Sequence, residues 1–292
     1  MIHASVAGAE TPVAGELLRI LLYHPDVEIT SVYSPSLAGK AIDEVHHGMI
    51  GDTDLRFSSA IDSAKTNMVF VCAKQPDGLF AEVDDDTRIV DLTDTHIGAD
   101  VDYVYGICEL NRKPLVRGAL HAAVPSPVAQ AALLALLPLA KHLLINADVT
   151  IAATQPVSEQ SVGEVEAVIK ALQLSFNNKI NVEHIEAPTA SSRALIAKVS
   201  FDCAVDAPQV VDMCNEFYDD HNFTFIISRE PQPDDVANTN KCIMHVSKDG
   251  ERLTVTVAID PQVKGAAGTA VHCMNLLFGL HERVGLMLKA SL

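Results

Sequence analysis

Four short apolar runs, Ile2–Ala7, Ile29–Tyr33, Met68–Cys72 and Arg88–Leu92, recur through the first half of the chain with helical segments between them. Runs this short and rich in β-branched residues fit strands buried on both faces. Strands separated by helices pair in parallel, because a parallel neighbour needs a crossover connection. The first crossover is the most clearly marked. Thr11 stands at a helix cap and Pro12 at the first helical position, where a missing N–H costs nothing. The helix continues through Leu17, Leu18, Ile20, Leu21 and Leu22 to Tyr23, and His24-Pro25 closes it.

After Pro125-Ser126-Pro127 the pattern changes. Val128–Leu144 reads as one long alanine- and leucine-rich helix. Its most apolar part, Ala131–Ala140, is about half the length a bilayer needs, and Pro138 and Lys141 interrupt or end it. Val165, Val168, Ile169 and Leu172 have helical spacing, whereas Leu195, Ala197, Val199 and Phe201 alternate as a strand does. Asp206 caps, and Pro208 opens, a helix carrying Val211, Cys214 and Tyr218 on one face. Cys242–Val246 and Leu253–Ile259 flank Lys248-Asp249-Gly250, a hairpin signal. Hairpins plus helices predict an antiparallel α+β domain. A length of 292 residues accommodates two domains, with a boundary near residue 127.

Charge narrows the partners. There are 21 basic and 38 acidic residues, a formal net charge of −17. With no basic patch to offset it, this surface repels nucleic acid and anionic membranes. Six cysteines at 72, 108, 203, 214, 242 and 273 include no Cys-x-x-Cys pair, which argues against a disulfide scaffold and a zinc ribbon. That usage, and a start (Met1–Ser5) without a basic secretory region, suits the cytoplasm. His46-His47 and Asp84-Asp85-Asp86 lack a third ligand at sensible spacing, so they read as solvated loops rather than a metal site.

Several segments, in order along nearly the whole chain, carry a family resemblance: Gly15-Glu16-Leu17-Leu18-Arg19, Ala38-Gly39-Lys40, Tyr105 to Arg112, Asn238 to Cys242, and above all Lys264 to Phe278. Together they resemble N-acetyl-gamma-glutamyl-phosphate reductase, the arginine-biosynthesis member of the semialdehyde dehydrogenase superfamily. The resemblance implies an α/β Rossmann-like domain for NADP, over residues 1–127 plus about 265–292. It implies a glyceraldehyde-phosphate-dehydrogenase-like α+β domain for catalysis and dimerisation over 128–264.

The residues depart from the family pattern where the chemistry is done. The family holds its acyl group on a cysteine in an Asn-Pro-Gly-Cys turn before the long apolar helix; here the turn reads Val124-Pro125-Ser126-Pro127, and Pro127 takes the nucleophile position. Ser126, one residue away, has a hydroxyl but no base to activate it. The family's histidine acid/base falls at Ser161, which reads instead as the start of a capping box with Glu164. Only Thr154 to Ser158 stands where the family has a glycine-rich loop and a long insertion. In the cofactor turn, Gly8 is kept while Thr11 and Ala14 replace glycines; Glu10 and Pro12 lie within it. Pro35 beside Ser34 stands where an arginine often meets the 2′-phosphate.

Cofactor contacts are therefore expected, if anywhere, at Gly8, Thr11, Ser34 and Gly265, with NADP(H) binding weak or absent. Arg193 takes the position of a family arginine that meets the substrate, so it is a candidate anion contact; read structurally, it makes an interdomain salt bridge, and Lys264 and Gly265 support close helix packing. Glu109, Asn111 and Arg112 hold a turn before the domain boundary. The leading expectation is a catalytically inactive homologue, acting as a binding, regulatory or structural subunit, as a homodimer or mixed with an intact paralogue. The alternative is an active NADP-dependent reductase of an acyl phosphate or semialdehyde with a displaced thiol, Cys108 or Cys273.

Overall fold

The structure, a computed structural model, describes residues 1–76, 78–79, 83–98, 102–188 and 193–290. Its elements run β1 (Ile2–Ala7), α1 (Pro12–Leu21), β2 (Val27–Tyr33), β3 (Phe57–Ser58), β4 (Met68–Val71), β5 (Arg88–Asp91), β6 (Tyr103–Tyr105), α2 (Cys108–Val116), β7 (His121–Ala123), α3 (Pro127–Lys141), β8 (Val149–Ala153), α4 (Glu159–Leu172), β9 (Ile180–His184), β10 (Leu195–Asp202), α5 (Ala207–Tyr218), β11 (Thr224–Ile226), β12 (Cys242–Asp249), β13 (Arg252–Ile259) and α6 (Gly268–Leu277). The chain divides into two compact units, one of Met1–Val124 with Ala266–Met287 and one of Pro125–Gly265 with residues 288–292.

Among the described residues, the first unit is built on a seven-stranded parallel sheet in the order β3-β2-β1-β4-β5-β7-β6. The strand order reverses between β1 and β4, as in a Rossmann-like sheet. Every residue of β4, Met68 to Val71, is buried, which is why it reads as an unbroken apolar run. Thr11 caps α1 with Pro12 first, as its local sequence dictates. The last helix, α6, returns to this unit, where all ten of its residues are buried and it packs on α1, α2 and β5.

In the second unit the described strands form a six-stranded mixed sheet, β11-β12-β13-β10-β8-β9. The pairs β12–β13, β13–β10 and β10–β8 are antiparallel, while β11–β12 and β8–β9 are parallel. Leu195, Ala197, Val199 and Phe201 of β10 are all fully buried on one face. Against the sheet lies α3, buried without a break from Val128 to Ala140. A helix apolar all round belongs inside a core. No described helix is long and apolar enough to cross a membrane.

Three local expectations need correcting. Asp206 occupies the N-cap of α5 but makes no capping bond; its carboxylate lies 3.8 Å from the Lys248 ammonium. On α5 the buried stripe is Val210, Cys214 and Tyr218, and Val211 is only half-buried. The strands of the β12–β13 hairpin extend to Asp249 and Arg252, so the turn is Gly250-Glu251, with Gly250 at φ +57° in the first central position.

Candidate functional site

In the second unit, two helix starts meet at the positions expected for nucleophile and acid/base. Ser126 caps α3, its Oγ accepting from the Ala129 N–H at 3.3 Å. Ser158, not Ser161, caps α4, accepting from the Ser161 N–H at 3.1 Å. The capping box expected at Ser161 and Glu164 is therefore corrected. The helix begins a turn earlier because Glu159 and Gln160 favour helix, and an acidic side chain suits its positive end. Ser161, relieved of capping, turns its hydroxyl inward to Ser126 Oγ at 2.8 Å and Ser158 Oγ at 2.9 Å. Three hydroxyls thus bridge the two helix starts.

Pro127 sits beside this bridge, its ring against Gly265. A Cβ added at Gly265 would lie 2.8 Å from Pro127 Cβ. Gly265 is held by its N–H donating to the Asp260 carbonyl at 2.9 Å and its carbonyl accepting from Gln130 Nε2 at 3.3 Å. The fold gathers Ser126, Pro127, Ser161 and Gly265 into one neighbourhood, and what they offer is hydroxyl and apolar surface. A hydroxyl needs an adjacent base to attack a carbonyl.

Arg193 is anchored within the second unit. Its Nε donates to Asp260 Oδ2 at 2.7 Å within the same unit, and Asp260 is fully buried. That carboxylate also accepts from the Asn238 N–H at 2.7 Å, the Gln262 N–H at 2.9 Å and the Val263 N–H at 3.1 Å. A buried carboxylate requires such partners, and Arg193 is its counter-ion. Lys264, fully buried, rides on a π-type turn over Val263–Ala267.

In the first unit, Gly8 turns at φ +73°, and a Cβ there would come within 2.6 Å of Ala73 Cβ and 2.7 Å of Ala73 N. Thr11 Oγ1 donates to the Gly8 carbonyl at 3.0 Å and accepts from the Ala14 N–H at 3.3 Å. One amide at the start of α1 is thereby occupied, and Pro12 has none. His46 is not solvated loop: its Nε2 donates to the Ala9 carbonyl at 2.7 Å and its ring covers Gly15. Ser34 is buried, its hydroxyl 3.4 Å from that of Ser36. At the end of β5, buried Asp91 accepts from His96 Nδ1 at 2.7 Å, with His96 stacked on Tyr103 at 4.1 Å. Sequence reasoning missed that pair, which belongs to no spacing motif.

Cys108 and Cys273, the displaced-thiol candidates, face each other inside this unit. Both are buried and their sulfurs are 3.6 Å apart. Burial pushes the Cys108 thiol well above its ordinary value; Cys273 adds to the rise and His272 opposes it. Next to them His272 bonds Glu282 Oε2 at 2.9 Å, and Glu282 Oε1 meets Arg112 Nε at 2.6 Å. Asn111 donates to the Tyr105 carbonyl at 2.8 Å, so this stretch does hold its turn. No group of three or more His, Cys, Asp or Glu among the described residues could hold a metal ion.

Residues 3–117 match the NAD-binding domain of semialdehyde dehydrogenase, and residues 160–261 match its dimerisation domain. The chain is 38% identical to N-acetyl-gamma-glutamyl-phosphate reductase of Parabacteroides distasonis over 323 aligned positions, covering 100% of this chain and 99% of the relative. The corresponding protein of Phocaeicola vulgatus is 36% identical over the same span. In fold it is similar to aspartate semialdehyde dehydrogenase II from Vibrio cholerae, with a TM-score of 0.70 at 16% identity, covering 96% of this chain and 99% of that one. Aspartate semialdehyde dehydrogenase with NADP from Candida albicans gives a TM-score of 0.69 at 12% identity, covering 95% of this chain and 99% of that one.

Proposed function

The chain belongs to the N-acetyl-gamma-glutamyl-phosphate reductase family, and from that premise we propose that it is a member without the reductase chemistry, serving as a binding, regulatory or structural subunit linked to arginine biosynthesis. The observation that carries this reading is the Ser126–Ser161 hydroxyl pair, 2.8 Å apart beside Pro127, where the family's thiol and imidazole are expected. Reduction of an acyl phosphate in this family needs a thiolate to hold the acyl group and a group that exchanges protons near neutral pH. A proline supplies neither, and hydroxyls bonded to hydroxyls do not titrate there. The alignment with the Parabacteroides relative needs 323 positions for 292 residues, so gaps fall in this chain, in keeping with the short link from Thr154 to Ser158.

The cofactor turn is a poor fit to a dinucleotide pyrophosphate. Pro12 has no amide to offer, the Ala14 amide is taken by Thr11, and the exposed Glu10 carboxylate adds like charge. Ser34 and Pro35 bring no positive charge to a 2′-phosphate. The competing reading, a reductase acting through Cys108 or Cys273, asks a fully buried sulfur to reach a substrate.

The test is a steady-state assay of the purified protein with NADP(H) and N-acetylglutamyl substrates, beside an intact relative, together with calorimetric titration of NADPH. Turnover is expected to fall several orders of magnitude below the relative. No saturable heat is expected at concentrations that saturate the relative. Comparable turnover abolished by Cys108→Ser or Cys273→Ser would overturn the proposal and establish the competing one.

A further inference from the structure

The contact between Cys108 and Cys273 joins residues 165 positions apart in the chain. A disulfide requires about 2.05 Å between sulfurs, so a movement of about 1.5 Å would close the observed 3.6 Å. The two sulfurs sit on very different supports. Cys273 lies in the middle of α6, fully buried, its thiol directed at the Gly106 carbonyl at 3.7 Å. Cys108 is the first residue of α2, whose cap, Ile107, makes no side-chain bond. Three residues on, Asn111 leaves helical geometry at φ −116° and ψ 24°, and Pro114 gives the Leu110 carbonyl no N–H. The first turn of α2 is thus separated from the rest of the helix. Held by the Leu110 and Asn111 amides on the Ile107 carbonyl and by Asn111 Nδ2 on the Tyr105 carbonyl, this turn opens as a local unit without global unfolding.

We propose that Cys108 and Cys273 are a reversible redox pair: a low-molecular-weight hydroperoxide oxidises them to a disulfide that clamps the start of α2 to α6, and a dithiol reductant reopens it.

The surroundings suit gated rather than constant reactivity. Burial keeps Cys108 protonated at rest. Burial alone would lower His272, but Cys108, Glu282 and Glu109 facing it reverse the sign and hold it up to about 9. When the first turn opens, the desolvation that suppresses the thiolate is relieved, while the imidazole and the helix start that favour it remain. Cys108 then gives its proton to water, and its thiolate sulfur, beside the charged imidazole, attacks one peroxide oxygen. The O–O bond breaks, an S–O bond forms, and the leaving hydroxide takes a proton to become water. Cys273 Sγ next attacks the sulfenic sulfur. An S–S bond forms, the S–O bond breaks, and hydroxide leaves with the Cys273 proton as a second water. Two thiols lose two electrons and one peroxide gains them.

The experiment treats the full chain with hydrogen peroxide, counts thiols and maps peptides by mass. Two of the six thiols are expected to disappear into one Cys108–Cys273 cross-link, restored by dithiothreitol and accompanied by a higher melting temperature. Cys108→Ser and Cys273→Ser should each abolish the link. His272→Gln should slow its formation tenfold or more without changing the final yield; a purely structural role would alter the yield instead. Should the variants not fold, mapping the unaltered chain still decides. Retention of all six thiols under conditions that oxidise the urea-unfolded chain would overturn the proposal. So would a link between other cysteines, or over-oxidation of Cys108 without a link.

Discussion

At Gly8 the backbone takes φ +73° with Ala73 packed directly above the missing Cβ, so two separate costs meet at one atom. Gly39 bears only the first of them: it has φ +89° and no atom within 4 Å of an added Cβ. Gly39→Ala is expected to cost about 1 kcal/mol from backbone strain. Gly8→Ala should cost about 3 kcal/mol, because the new methyl also collides with backbone that cannot yield. Urea unfolding midpoints of the two variants would check the difference, and equal losses would show that Ala73 moves aside. Gly265 is the same kind of residue without the unusual φ. It is glycine because Pro127 stands where its side chain would be, so the proline that removes the nucleophile is itself a packing element.

The helix α3 carries an interior proline, Pro138, which offers no N–H to the carbonyl of Leu134 one turn before it. That carbonyl is buried, and a buried acceptor left unpaired is costly. Tyr218 of α5 supplies the missing donor, its hydroxyl lying 2.5 Å from the Leu134 oxygen. One helix thus repairs a defect in another. Tyr218→Phe is expected to destabilise the protein by about 2 kcal/mol, the cost of an orphaned buried acceptor. Adding Pro138→Ala should return part of that loss, because alanine brings back the amide. A double-mutant cycle is expected to show coupling of about 1 kcal/mol between these positions, and additive losses would contradict the repair.

For the whole molecule, two histidines of the first unit set opposing pH limits. Burial lowers His24, with the Asn275 hydrogen bond opposing it. Its contribution to stability is present above the ordinary value of 6.5 and is lost as pH falls. His272, raised to about 9, contributes stability that is complete below 6.5 and lost as pH rises through 9. Stability is therefore expected to peak near neutral pH, and His272→Gln should flatten the alkaline limb alone in denaturation profiles. Association is the second property at this scale. The match of residues 160–261 to a dimerisation domain makes a dimer the expected state. Bringing together two chains of net charge −17 means that added salt should tighten it. Light scattering that shows a monomer at micromolar concentration in moderate salt would contradict this. Failure to co-purify with an intact paralogue would leave only the homodimer.

How much of this was legible in the sequence depended on the range of the forces involved. The runs of β1, β4 and β5, the Thr11-Pro12 start of α1, the apolar length of α3 and the alternation of β10 were readable, because periodicity and capping act between residues a few positions apart. Pro127 and Ser161 could be marked as departures, and Gly8 as a retained glycine, only through the family resemblance. The cap of α4 was misplaced by three residues, since several serines can cap and the partner that draws Ser161 inward is Ser126, on another helix. His46 over Gly15, Arg193 on Asp260 and the Cys108–Cys273 contact lay beyond local reading altogether. Sequence by itself determined which segments become strands and helices and which faces they bury. Only the tertiary structure decided which polar atoms and sulfurs meet, because those pairings join residues dozens to more than a hundred positions apart, brought together by the packing of whole elements.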